Sequence, residues 1–108
     1  MLPKSKRLTT EEIESLRSGK SVFGTLISMR AIKSDTLKFA VSVSKKVAPL
    51  AVDRNRLRRK VYSALPSLIH EIKLPAFIMF MPKKEILTAP MDALSSEIGV
   101  LLKKAGFI

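Results

Sequence analysis

The chain reads as an α+β domain, an α/β sandwich built on one mixed sheet. Three observations predict this class. Apolar residues recur with a period of two over 37–44 and at helical spacing over 57–68 and 91–105. A strand-sized apolar run, Ala76 to Met81, is bracketed by Pro75 and Pro82. Helix start and stop signals then divide the chain into helix, strands, helix, strand, helix, an order that packs helices against a sheet.

Each element follows from local chemistry. Thr9 and Glu12 have capping-box spacing, and Leu8 and Ile13 occupy the two positions of a hydrophobic staple. A short helix is therefore predicted over Thr10–Ser18, with Gly19 as its stop. Residues 22–32 read as extended chain, two strands with a bend near Gly24. Phe23, Thr25, Ile27, Met29 and Ala31 share one face; Leu26, Ser28 and Arg30 share the other. Lys33-Ser34-Asp35 makes a turn. Leu37 to Ser44 is the clearest strand, with Phe39, Val41 and Val43 on one face and Lys38, Ala40, Ser42 and Ser44 on the other. That second face is small and polar, open to close approach by a ligand backbone.

A loop containing Pro49 precedes a helix predicted from about Val52, whose apolar stripe is Leu57, Val61, Ala64 and Leu68. Pro66 either kinks this helix or opens a new turn as its first residue. Ala76 to Met81 is apolar on both faces, as in a central strand buried on both sides. Pro90 opens the last helix. Met91, Leu94, Ile98, Leu101, Leu102 and Ala105 face the core, Lys103 and Lys104 suit the dipole in the last turn, and Gly106 is the stop.

The 108 residues make one domain, with residues 1–8 as a basic flexible arm carrying Lys4, Lys6 and Arg7. Twenty Lys and Arg against nine Asp and Glu give a net charge of +11, yet 46% of residues are hydrophobic and mean hydropathy is +0.16. A basic disordered tail would be apolar-poor, so this is a cored domain whose charge points to a polyanion. Zero cysteines exclude a disulfide scaffold, a thiolate zinc site and a Cys nucleophile. One histidine excludes a multi-His metal site. The N-terminus lacks the apolar core of a signal peptide, and no apolar run approaches the ~20 residues of a membrane span. A cytoplasmic protein is the expectation.

The charge is concentrated. Residues 45–60 hold Lys45, Lys46, Arg54, Arg56, Arg58, Arg59 and Lys60 against Asp53 alone, a local net of +6. With Leu57 facing the core, Arg54 and Arg58 flank the apolar stripe on one side and Arg56 and Lys60 on the other. Asn55, Arg59 and Tyr62 face away. No acid interleaves these arginines to offset their repulsion, as a solvated helix face normally would have. Arginine binds phosphate bidentately, and each phosphate neutralised releases counterions. Nucleic acid is the partner this pattern fits. The low aromatic content gives little support to a base-stacking sheet of the RNA-recognition-motif kind.

Other features have plainer readings. His70 beside Glu71 has no partner motif and reads as a surface histidine. Glu11, Glu12 and Glu14 serve the first helix's dipole. Met29, Met79, Met81 and Met91 read as core filler. Tyr62 suits either an RNA contact or a cover for the helix end.

At Phe39 the residues become specific. The run FAVSVSKKVAPLAVDRNRLRRKVYSAL closely resembles the signature of the bacterial ribonuclease P protein subunit, a strand ending in S-V-S-K-K, a short loop, then a basic R-N-R helix. Here these are Ser42-Val43-Ser44-Lys45-Lys46 and Arg54-Asn55-Arg56-Leu57-Arg58-Arg59. Length and element order agree as well. The resemblance implies the order α-β-β-β-α-β-α and one mixed four-stranded sheet. Its parallel strand–helix–strand crossover would be left-handed, against the general rule. It also implies a protein without catalytic residues of its own. The RNA subunit would remove the 5′ leader of precursor tRNA with magnesium held by RNA and substrate. The partners implied are that RNA and precursor tRNA, with no membrane and no protein homo-oligomer.

Carried over by position, Lys45, Lys46, Arg54, Asn55, Arg56, Arg58, Arg59 and Lys60 would contact the RNA subunit. Arg30, Lys38, Ala40, Ser42, Ser44 and Tyr62 would line the leader cleft. This chain departs from the pattern in three places. The loop before Arg54 is one residue longer and contains Pro49. The usual glycine after the lysine pair is replaced around Ala48-Pro49. Ile13 and Leu16 stand where the family has phenylalanines in the first helix, which shifts leader contact toward Arg30, Lys38 and the backbone. Two other readings stay open: a ribosome-associated or general structured-RNA-binding protein, and a small nuclease using His70 and the carboxylates. Only the ribonuclease P reading explains the S-V-S-K-K and R-N-R blocks together.

Overall fold

The computed structural model describes residues 6–108, so Lys4 of the expected arm lies outside the described residues. Helix α1 spans Thr10–Ser15 and tightens into a 3-10 turn over Leu16–Ser18. Strands β1 (Lys20–Phe23), β2 (Ile27–Lys33) and β3 (Lys38–Val41) follow, then α2 (Ala51–Ala64) and the short α3 (Pro66–Ile69). Strand β4 (Ala76–Pro82), a 3-10 turn over Lys84–Leu87 and α4 (Met91–Lys104) complete the chain. The sheet order is β1-β2-β4-β3. β1 and β4 pair antiparallel with β2, whereas β3 and β4 run parallel. The sheet is therefore mixed, and α2 and α3 make the crossover between its parallel strands.

Local signals account for the helix ends. The Thr9 hydroxyl accepts from the Glu12 amide at 3.2 Å, and Glu12 Oε1 accepts from the Thr9 amide at 2.9 Å, closing the capping box. Pro66 does not kink α2; it stands first in α3, where its missing N–H costs nothing. Gly106 takes φ +85° at the end of α4, a conformation that favours glycine.

One face of the sheet carries the core. Ile27, Met29, Phe39, Ile78 and Phe80 meet Leu57 and Val61 of α2 and Leu94, Ile98 and Leu102 of α4, all at or near zero exposure. The rings of Phe39 and Phe80 stack with centroids 6.3 Å apart. α1 and its 3-10 turn lie against the opposite face, where Leu16 and Ala40 are buried outside that core.

Four local expectations change. β4 is buried on alternate residues only, with Phe77, Met79 and Met81 half-buried on the α1 side, because the short α1 covers just part of that face. β3 stops at Val41: the Ser42 amide still donates to Phe80 O, but Ser44 O already accepts from Val47 and Ala48 in a turn. Phe23 does not share the buried face of Ile27. Register pairs Phe23 with Ser28 and Val22 with Met29, so odd positions of β1 align with even positions of β2, and alternation counted through the turn fails. Met91, the first residue of α4, is 40% exposed, and its apolar stripe begins at Leu94.

The expected arm is also partly tied down. Arg7 bridges to Phe39 in parallel fashion, and the Leu8 amide donates to Phe39 O at 2.8 Å. β3 is an outer strand, and this segment satisfies groups on its free edge.

Candidate nucleic-acid interface

The basic segment begins in the loop before α2. Lys45 and Lys46 are exposed, while Ala48 is fully buried and anchors the loop. A guanidinium nitrogen of Arg54 donates to Ala48 O at 2.9 Å and Pro49 O at 2.8 Å. Arg54 thus braces the longer loop that holds Pro49. Lys60, on the other flank of α2, donates from Nζ to Ala89 O. Arg56 and Arg59 are exposed, and Arg58 donates to Asn55 Oδ1 at 3.0 Å. Among the described residues the one ion pair is Lys38–Glu12, so no carboxylate neutralises any base of α2. Asp53, in its first turn, pairs with none of them.

α2 packs on the core face yet reaches the free edge of β3. There a cavity of about 450 Å³ opens between α2, β3 and the segment leading into α1. Its polar lining is Arg7, Asn55, Arg58, Arg59 and Tyr62; Leu8, Ile13, Ala40 and Val41 form the apolar part. Three guanidinium groups and no acid line it. Arg7 Nε is buried and makes no hydrogen bond. Tyr62, expected to face away from the core, is instead half-buried and packed against it. Burial raises its hydroxyl above the ordinary value, only partly opposed by the Val41 backbone, Arg7 and Arg58. The hydroxyl therefore stays protonated at neutral pH. A second cavity, about 380 Å³, lies among Ile32, Leu74, Ala105 and Phe107, away from α2.

The sheet face beneath α1 carries the residues expected to form a cleft. Arg30 Nε donates to Ser21 Oγ at 3.0 Å, which fixes the guanidinium over β1 and β2. Lys38 Nζ lies 2.9 Å from Glu12 Oε2. Ala40 is buried at 8% exposure and lines the cavity, so it can offer shape rather than polar contact. Ser42 and Ser44 are exposed beyond the end of β3. The cavity brings Ala40 and Tyr62 together with Asn55, Arg58 and Arg59. Arg54, Arg56 and Lys60 point elsewhere around α2, and Lys45 and Lys46 mark its approach.

Several participants were not legible as such. Arg7 reads as arm charge until its bridge to Phe39 carries it into the cavity wall. Lys83 and Lys84 follow the strand-ending Pro82 and, with Lys46 and Glu85, line a shallow basin; a basic pair after a buried strand is the only signal they leave. Glu97 of α4 caps the β1–β2 turn, accepting from the Thr25 hydroxyl and from the amides of Thr25 (3.1 Å), Leu26 (2.6 Å) and Ile27 (2.8 Å). Nothing local at residue 97 announces a partner some 70 positions away.

Among the described residues no three His, Cys, Asp or Glu side chains gather as a metal site, and no helix is long and apolar enough to cross a membrane. His70 is exposed and contributes to neither the cavity nor the sheet face.

Comparison with known proteins accords with this arrangement. The fold is similar to a ribonuclease P protein from Staphylococcus aureus at TM-score 0.79 and 20% identity, covering 96% of this chain and 98% of that one. It is similar to the ribonuclease P protein from Thermotoga maritima at TM-score 0.78 and 21% identity, covering 91% and 96%. No curated protein sequence matched significantly. At such identities the solved structures establish the fold. A family model described as Ribonuclease P matches residues 2–106, nearly the whole sequence. With the S-V-S-K-K segment after β3, the R-N-R helix and the mixed sheet all in place, the chain belongs to the ribonuclease P protein family.

Proposed function

We propose that this chain is the protein subunit of a ribonuclease P particle, docking on the catalytic RNA through α2 and the loop before it. Family membership implies the ribonuclease P RNA as partner and a role in tRNA processing. The observation that carries the reading is the uncompensated basic surface of α2, continuous at the β3 edge with the Arg7–Arg58–Arg59 cavity. Arg56, Arg59, Lys45 and Lys46 are the docking bases, each able to replace condensed counterions on the RNA. Arg54 and Lys60 hold the neighbouring backbone and support that surface from within. The cavity, the sheet face of Arg30 and Lys38, and Ser42 and Ser44 beyond the end of β3 take the single-stranded 5′ leader. The three arginines of the cavity lining, Arg7, Arg58 and Arg59, support a phosphate there.

The chemistry belongs to the RNA in this reading. Magnesium is held by RNA and substrate; the described carboxylates form no group that fits it, and no step runs through the protein. The protein contributes affinity and orientation.

Reconstitution tests this. The protein is mixed with a bacterial ribonuclease P RNA and a precursor tRNA at low magnesium, and release of the 5′ leader is measured. Accelerated cleavage over RNA alone is expected. No gain refutes the assignment, and cleavage by protein alone turns the reading to a nuclease.

A further inference from the structure

We propose that the Phe23 ring, at the open end of the sheet face, is a stacking platform for an unpaired base of single-stranded RNA. The inference rests on the RNA-binding reading above and adds a contact at a place that reading leaves empty. Phe23 is 74% exposed, more than any other large hydrophobic side chain among the described residues. One exposed apolar residue needs no explanation. Three further observations do.

The first is that the backbone carrying the ring is held in place. Phe23 ends β1, paired with Ser28, and the next three residues form a turn that Glu97 clamps through the Thr25, Leu26 and Ile27 amides. Gly24 has no room for a Cβ, which would stand 2.6 Å from Ile27 O. The clamped turn fixes the backbone that presents the ring, so that part of the ordering cost is met before any ligand arrives.

The second is that the ring's flank is clear. Register sets Phe23 beside Ser28, and Ser28 beside Met81. A small hydroxymethyl group therefore separates the ring from a half-buried, polarisable thioether on the same face. β1 is an outer strand, so the ring's other side meets solvent. α1 crosses the opposite end of the face, pinned by Glu12–Lys38.

The third is charge. Arg30 stands two residues along β2 from Ser28, held by Ser21. The Lys83 amide donates to Leu26 O at 2.9 Å, and Lys83, Lys84 and Lys46 line the basin at that end. The acids at this end, Glu97 on the turn and Glu85 in the basin, leave Arg30 and the three lysines in excess, and a lone ring and thioether split by serine on such a surface make a poor apolar protein contact. An aromatic face set among cations is what sequence-tolerant binding of single strands uses.

The test uses the reconstituted particle and precursor tRNAs with and without a 5′ leader. Phe23→Ala is expected to weaken binding of the leader-bearing substrate by roughly 5- to 150-fold, the effect of one lost stack at about 1–3 kcal/mol. Affinity for the leaderless tRNA and for the RNA subunit should not move. Phe23→Leu should not restore binding, whereas Phe23→Trp should. The chain contains no tryptophan, so Phe23→Trp also gives a single emitter whose fluorescence a stacked base in an added oligonucleotide quenches. Full leader affinity in the Ala or Leu variant, or an unquenched tryptophan, overturns the proposal. So does loss of self-association in Phe23→Ala with RNA binding intact, which would make the ring a protein contact. If the wild-type particle itself gains nothing from the leader, the functional reading has failed instead of this one.

Discussion

Glu12 Oε2 and Lys38 Nζ stand 2.9 Å apart, and this pair ties α1 to β3 across the sheet face. The same carboxylate closes the capping box through its other oxygen. Lys38, first, and the Thr9 amide hold Glu12 below the ordinary carboxylate value. A lowered folded-state value means the contribution is present above the unfolded value and fades as pH falls through the folded one. Glu12 thus occupies Lys38, one of the bases proposed to meet the leader. Glu12→Gln keeps a capping side chain and releases the lysine. Stability should change little, and the reconstituted particle should bind leader-bearing substrate more tightly at low salt. Unchanged binding would put Lys38 outside the leader's path.

Glu97 links α4 to the β1–β2 turn. Burial pushes its carboxyl up, but the Thr25 hydroxyl and the three turn amides outweigh this and leave it below the ordinary value. Stability from this group is therefore full at neutral pH and declines as pH drops below about 4.5, where the unfolded chain takes up the proton first. Glu97→Ala should cost about 1–2 kcal/mol at pH 7, the lower part of the range for bonds to a charged group because the site is partly solvated. Urea denaturation at neutral pH and near pH 3.5 checks both statements, and the variant should show the shallower pH dependence.

Gly24→Ala attacks the same turn from the other side. The new methyl would meet Ile27 O at 2.6 Å and the Glu97 carboxylate at 3.0 Å. The first of these is backbone and cannot move aside, so a loss of about 1–3 kcal/mol is expected. A thermal melt of the purified variant measures it, and a wild-type melting temperature would refute the packing argument.

The bases of α2 should separate into two groups. Arg56→Ala with Arg59→Ala removes two exposed cations, so affinity for the RNA subunit should fall and the slope of log affinity against log salt should flatten by roughly one to two. Arg54→Ala should instead destabilise the protein, because Ala48 O and Pro49 O lose their donor. Filter binding across a salt series and a melt of each protein distinguish the two classes.

Gly106→Ala tests a purely conformational cost. A Cβ there would meet nothing within 4 Å, but φ is +85°. About 1 kcal/mol of destabilisation is expected from the left-handed backbone alone. The urea midpoint should shift with no change in the slope of the transition.

Much of this was legible in the sequence because it is local. The capping box at Thr9 and Glu12, the stripe Leu57–Val61–Ala64–Leu68 and the stop at Gly106 each depend on residues within a few positions. The clustering of bases on one uncompensated helix needs only helical geometry and a count of charges. The S-V-S-K-K and R-N-R blocks carried the family resemblance without any tertiary information.

What the sequence could not supply depends on pairing between distant segments. The register that turns Phe23 outward is set by which residues of β2 it meets, and a one-residue change of register inverts a face. Glu97 acquires its four bonds only when α4 packs across the sheet. Arg7 enters the cavity only because its segment lies along the free edge of β3. Residue type and local period thus determined the elements, the basic helix and the kind of partner. Tertiary packing decided which of those charges are left exposed, which are spent on the protein's own carbonyls and carboxylates, and which ring faces solvent.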